Sequence, residues 1–140
     1  EALEVRPQLQ GVVVGEVDPE TDLSPNVMVV PRVPQVELLE RCAAVVSHGG
    51  HNTVCETLAN GLPLVVAPIR DDQPIVADQV VQAGAGIRVR YARTGAAQLG
   101  EALDAVLTQP SYREAALRLQ RSFIDAGGAS AAAQRLEQLP

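Results

Sequence analysis

Ser47-His48-Gly49-Gly50-His51-Asn52-Thr53-Val54-Cys55-Glu56 is the stretch on which the fold turns. An apolar run from Ala43 to Val46 leads into it and stops at paired glycines. An Asn-Thr pair follows, with a Glu three places beyond the Thr. That order predicts a strand, a tight turn and a helix start. Glycine lets the backbone take positive φ and lets a ligand approach without a β-carbon in the way. The first N–H groups of a helix have no partner inside it, and with the positive end of the dipole behind them they suit an anion such as phosphate.

Working outward, the same alternation repeats on both sides. Upstream, Gly11-Val12-Val13-Val14-Gly15 and Val27-Met28-Val29-Val30 are short β-branched runs of the buried-strand kind. Pro31 and Pro34 close the second, and Val36, Leu38, Leu39 and Cys42 begin a helix. Glu1 to Leu9 reads as the tail of a helix. Downstream, the helix from about Asn52 to Ala59 ends at Asn60-Gly61, and Leu64 to Ala67 is a strand closed by Pro68. Asp71-Asp72-Gln73-Pro74 opens a helix that lasts until Gly84, and Gly86 to Arg90 is the fifth strand. Helices are predicted near Ala96 to Leu107, Ser111 to Ala126 and Ala129 to Leu139. Strands apolar throughout that alternate with helices imply an α/β fold: a doubly wound parallel sheet of about five strands, covered on both faces, with a helical C-terminal tail. Ligands of such sheets sit beyond the carboxyl ends of the strands. The turns at Pro31 to Gln35, Ser47 to Thr53 and Pro68 to Gln73 are therefore expected to face one crevice.

The 140 residues suit a single domain, with 46% apolar and 20% charged residues. A net charge of −6 argues against nucleic acid or an anionic membrane surface as a partner, since phosphate backbones are held by basic patches. All eleven basic residues are Arg, which pairs bidentately with carboxylate or phosphate. Cys42 and Cys55 make no disulfide framework, so a cytoplasmic location is expected. No apolar run approaches the ~20 residues of a membrane helix.

Three readings of the opening stretch stay open on residue types alone. Its glycines permit a bend and its Asn or Thr caps the helix; or the turn holds a phosphate; or His48, His51, Cys55 and Cys42 gather zinc, although one His-x-x-His is a weak metal pattern. Thr53 and Glu56 also have capping-box spacing, which would consume the N–H groups a phosphate needs. If phosphate takes the turn, Glu56 is free to accept hydrogen bonds from vicinal hydroxyls. Asp72-Gln73-Pro74 is equally an acidic cap with Pro in the first turn or a carboxylate-amide pair for sugar hydroxyls.

The blocks Val33-Pro34-Gln35-Val36-Glu37-Leu38-Leu39, Ser47 to Leu58, Gly61-Leu62-Pro63-Leu64-Val65, Asp72-Gln73-Pro74 and Gly84-Ala85-Gly86 together resemble the donor-binding signature of family-1 nucleotide-sugar glycosyltransferases of the GT-B fold, especially bacterial enzymes acting on antibiotics and other secondary metabolites. The resemblance covers nearly the whole chain and implies a Rossmann-like C-terminal donor-binding domain over residues 1–140. It implies roles for particular residues. His48, Gly49, Gly50, Asn52 and Thr53 hold the donor diphosphate and Glu56 the ribose. Arg32, Val33 and Gln35 frame the base, with Arg32 where many relatives carry an aromatic residue. Asp72 and Gln73 hold the sugar. The activity implied is inverting transfer from a UDP- or dTDP-sugar to a small apolar natural product, with no cofactor and no metal. The catalytic base and acceptor pocket belong to an N-terminal domain, so the chain alone is expected to be inactive. The first strand of the donor domain is expected to lie ahead of Glu1, in the same polypeptide or in a second chain. Other readings are a subunit of a split two-chain GlcNAc transferase, a GT-B nucleotide-sugar epimerase, and a nucleotide-binding module without catalysis.

Overall fold

The computed structural model describes residues 1–138. Its elements in order are β1 (Gly11–Val14), β2 (Val27–Val30), α1 (Gln35–Leu39), β3 (Val45–Ser47), α2 (His51–Ala59), β4 (Leu64–Val66), α3 (Gln73–Gln82), β5 (Gly86–Arg88), α4 (Ala96–Thr108), α5 (Pro110–Asp125) and α6 (Gly128–Glu137). The helix predicted to reach Leu139 has its last residue outside the described ones. Every strand pairing is parallel.

Two prolines explain why the strands are shorter than the apolar runs suggest. β4 pairs with β3 from Val45 opposite Leu64, and with β5 as far as Val66 opposite Arg88. Pro63 accepts from the Val45 amide but has no N–H for the Ala43 carbonyl, so β3 cannot begin at Ala43. Pro68 has none for the Val89 carbonyl, so β5 stops before Arg90. Helix α1 spans only five residues, and the chain then tightens into shorter-range bonds, Arg41 to Leu38 and Cys42 to Leu39.

β4 is the centre of the core. Leu64, Val65 and Val66 are fully buried, and successive side chains point to opposite faces of the sheet. Leu64 and Val66 pack with Val54 and Leu58 of α2, Val76 and Val80 of α3, and Ala115 and Ala116 of α5. Val65 packs on the other side with Ala102 and Val106 of α4. The wholly apolar β4 is thus buried on both faces. Helices α2 and α3 both end in the same cap: Leu62 donates to the Thr57 carbonyl and Gly61 to Leu58, while Ala85 donates to Val80 and Gly84 to Val81. This pairing of the last carbonyls needs a left-handed residue, and Gly61 and Gly84 supply it.

The expected α/β fold of five parallel strands alternating with helices forms, with the strands divided between two sheets. The strands form two sheets, β1-β2 and β3-β4-β5, and β1 is largely exposed, as is Met28 of β2. The apolar pattern of β1 is that of a buried strand, but the edge of β1 facing away from β2 meets no strand among the described residues.

The β1-β2 pair is held near the larger sheet partly through the N-terminal segment. Arg6 donates from Nε and Nη2 to the two Asp104 carboxylate oxygens at 2.8 and 2.7 Å, and Asn26 Nδ2 donates to the Leu3, Arg6 and Leu9 carbonyls. The guanidinium hydrogen bonds hold the Asp104 carboxyl below its ordinary range. A lowered folded-state pKa makes this contribution present above the ordinary carboxylate range and lost as pH falls through the lowered value. Asp104→Asn is therefore expected to release residues 1–9 at neutral pH, as acid does in the parent. Amide exchange of that segment against pH measures it, and a variant as protected as the parent would refute it.

Candidate functional site

The strand-turn-helix at Ser47 to Glu56 forms as its residues predict. β3 ends at Ser47, whose Oγ accepts from the Gly49 amide at 3.1 Å. Gly49 takes φ +85°, a left-handed value that a side chain rarely tolerates. Helix α2 opens at His51 with Gly50 as its cap residue, and no side chain caps it. Val54 makes the first helical bond, to the Gly50 carbonyl, so the His51, Asn52 and Thr53 amides have no partner within the helix. His48 folds back over this end: a β-carbon on Gly50 would lie 2.7 Å from His48 Nε2. An uncapped helix end with an exposed imidazole beside it is an electropositive notch.

The competing readings separate here. Because α2 starts at His51, Thr53 is its third residue and the Thr53-Glu56 capping box is not formed. Glu56 instead accepts at Oε2 from Gln35 Nε2 at 2.6 Å, leaving its second oxygen for another donor. Asp72 stands at the cap of α3 without a side-chain cap bond, which corrects the expectation of an acidic cap. Cys42 Sγ donates to the Leu38 carbonyl, and burial pushes its thiol up. His51 Nε2 and Cys55 Sγ lie 3.6 Å apart. Among the described residues no three His, Cys, Asp or Glu side chains gather as a metal site.

The three turns expected to share a crevice do meet. Gln35, just after the β2 turn, reaches Glu56 on α2. A β-carbon on Gly49 would lie 3.5 Å from the Gln73 carbonyl oxygen, which places the β3 turn against the start of α3. Gln73 is buried, and its Oε1 accepts from the Ile69 and Arg70 amides at 2.9 and 3.1 Å. Its amide thus staples the turn after β4, and Asp71 sits within that turn at φ +57°, a conformation Asp tolerates better than most residues. The sequence reading missed this staple; its only local signal was an Asp pair ahead of Gln-Pro. Arg32 is exposed and Val33 half-buried beside Pro34. A shallow cleft of about 310 Å³, lined by Pro68, Ile69, Arg88, Arg90 and Tyr91, adjoins the same end of the sheet and contains none of the predicted site residues.

Parallel α/β architecture with its polar turns gathered at the carboxyl ends of the strands defines a Rossmann-like domain of the kind that forms the C-terminal half of GT-B glycosyltransferases. Residues 12–139 match the family model described as erythromycin biosynthesis protein CIII-like, C-terminal domain, and the chain belongs to that family. It is 39% identical over 115 residues to the uncharacterized UDP-glucosyltransferase YojK of Bacillus subtilis strain 168, covering 82% of this chain and 28% of that one. Among solved structures, the glycotransferase of kitacinnamycin superposes with a TM-score of 0.90 at 33% identity, over 99% of this chain and 37% of that chain. The glycosyltransferase VinC in complex with dTDP superposes with a TM-score of 0.70 at 31% identity, over 74% of this chain and 26% of that one. The chain thus spans about a quarter to just over a third of the length of these proteins. Among the described residues no helix is long and apolar enough to cross a membrane.

Proposed function

We propose that this chain is the donor-binding part of an inverting glycosyltransferase that moves a sugar from a UDP- or dTDP-sugar to a small apolar natural product. The observation that carries the reading is the uncapped start of α2, with His48 over it and Glu56 held by Gln35 one turn further along. The donor diphosphate occupies the notch, met by the Asn52 and Thr53 amides, the Thr53 hydroxyl, His48, and the backbone at Gly49-Gly50. The free oxygen of Glu56 accepts from a ribose hydroxyl. Arg32, Val33 and Gln35 lie where the base would extend, and a guanidinium stacks on a planar ring. Asp72, with the unbonded Gln73 amide nitrogen, faces the sugar. The names of two relatives, a UDP-glucosyltransferase and an enzyme bound to dTDP, support the choice of donors.

In a single displacement the acceptor hydroxyl attacks the anomeric carbon while the bond to the diphosphate oxygen breaks. This chain opposes the negative charge growing on the departing diphosphate, a preorganised electrostatic contribution that requires no metal. Proton removal from the acceptor falls to an N-terminal domain, without which the chain transfers nothing.

Calorimetry with UDP and dTDP on the longer protein tests the reading. Binding is expected, and Gln35→Ala, which leaves Glu56 without its holding hydrogen bond, is expected to weaken UDP about tenfold. Folded protein that binds neither nucleotide would overturn the assignment.

A further inference from the structure

Two adjoining hollows beyond the carboxyl end of β5 carry a chemistry that the donor site does not use. The cleft of about 310 Å³ has Pro68, Ile69 and Tyr91 in its walls. Its neighbour, of about 430 Å³, has Arg93, Thr94 and Gln98. They share Arg88, Val89 and Arg90, so together they form one groove with an apolar half and a basic half.

The charge has a plain origin in the sequence. From Gln79 to Gly100 there is no Asp or Glu, in a chain that holds 17 of them, and three Arg fall within that stretch. Arg88 and Arg90 stand two residues apart, which puts them on one face of the extended chain; Val89 between them still donates to the Val66 carbonyl at 2.8 Å. The chain then folds back. The Arg93 and Thr94 amides donate to the Arg90 carbonyl at 3.0 and 2.9 Å, and the Arg90 amide donates to Thr94 Oγ1 at 3.0 Å. This closed turn brings Arg93 to the hollow that Arg90 lines. Arg88 donates to Asp78, but among the described residues no carboxylate pairs with Arg90 or Arg93. Helix α4 starts beside them with no side-chain cap and no acid in its first turn, which adds positive potential to a hollow the arginines already define.

The apolar half is equally fixed. Pro68 and Ile69 belong to the turn that Gln73 staples, through its 2.9 Å bond from the Ile69 amide. Ile69 and Tyr91 are 53% and 63% exposed, so one cleft offers a large aliphatic and a large aromatic side chain to whatever enters it.

We infer that this groove binds a small organic acid, with its anionic head on Arg90 and Arg93 and a flat apolar body along Ile69 and Tyr91. Hollows of this size hold small molecules. A guanidinium meets a planar carboxylate or a phosphate bidentately, so the basic half selects the head. A bare inorganic anion would leave Ile69 and Tyr91 in water, and a neutral apolar ligand would leave the arginines without a partner. Only a ligand with both parts uses the whole groove. Neither hollow contains His48, Glu56 or Asp72, so the acid and a nucleotide are accommodated at the same time.

Calorimetry at low ionic strength on the longer protein tests this with 2-naphthoate, its neutral counterpart 2-naphthamide, and inorganic phosphate. Naphthoate is expected to bind, and naphthamide at least about tenfold more weakly, because the charge-assisted hydrogen bonds are lost. Phosphate, a head without a body, is also expected to bind about tenfold more weakly than naphthoate. Arg90→Gln combined with Arg93→Gln should weaken naphthoate about 100-fold and leave UDP affinity unchanged. Tyr91→Ala should weaken naphthoate about fivefold and phosphate not at all. Saturating UDP should leave naphthoate affinity as it was. Folded protein that binds no naphthoate, naphthamide or phosphate bound as tightly as naphthoate, a doubly substituted protein with the parent affinity, or displacement of naphthoate by UDP would each overturn the proposal. Protein that binds naphthoate but neither UDP nor dTDP would leave it standing and end the donor-site reading instead.

Discussion

His48→Ala in the longer transferase is expected to lower turnover by on the order of 100-fold, the usual consequence of removing one preorganised donor to a developing negative charge. Its imidazole lies at the mouth of α2, within 2.7 Å of where a Gly50 side chain would begin. It therefore shares the space in which the unpaired amides of the helix converge. In the proposed role the ring is a donor whose interaction strengthens as the sugar-phosphate bond breaks, so kcat is expected to fall more than donor affinity. Steady-state kinetics with saturating donor separate the two. A variant that keeps the parent kcat while binding UDP as tightly would show that the diphosphate leaves elsewhere. Substitution at Gly50 should act on the same place from the opposite side, because its new β-carbon would displace His48.

Gly86→Val is expected to cost about 3 kcal/mol or more, a large share of the stability of a domain this size. Gly86 begins β5 opposite Leu64, and a β-carbon there would lie 2.3 Å from the Leu64 carbonyl oxygen and 2.8 Å from Val80 Cγ1. The first clash is with backbone of the central strand, which cannot move without breaking the ladder between β4 and β5. The second is with α3, packed against β5. Urea unfolding measures the cost through the midpoint. Gly95→Ser serves as the contrast: Gly95 caps α4 with open space around it, and serine supplies a side-chain acceptor to the helix start. A Gly86→Val protein with the parent midpoint would mean that α3 and β5 are not packed as described.

Much of the fold was legible because its signals are local. Paired glycines after an apolar run, Asn60-Gly61 and Gly84 after amphipathic stretches, and Pro68 after Leu64 to Ala67 each act on the backbone within a turn of where they stand. The element order follows from them, and so does the expectation of three turns at one end of the sheet. Strand lengths were overestimated because a strand ends where its neighbour lacks a donor. For β3 and β5 that neighbour is β4, bounded by Pro63 and Pro68, some twenty residues away in each case. The capping box failed for a related reason: spacing makes Thr53 and Glu56 available to each other, but the start of α2 at His51 and the reach of Gln35 from another turn decide what Glu56 bonds.

The residues by themselves determined which segments are strands and helices, where the strand-turn-helix with paired glycines lies, and which side chains stand near it in the chain, since propensity, capping and apolar period are properties of short stretches of chain. Only the assembled structure decided that Gln35 holds Glu56, that Gln73 staples the turn after β4, and that the sheet divides between β1 and β3. Those outcomes depend on which distant backbone groups face each other, and a hydrogen bond between segments is settled by packing around β4 rather than by the composition of either segment.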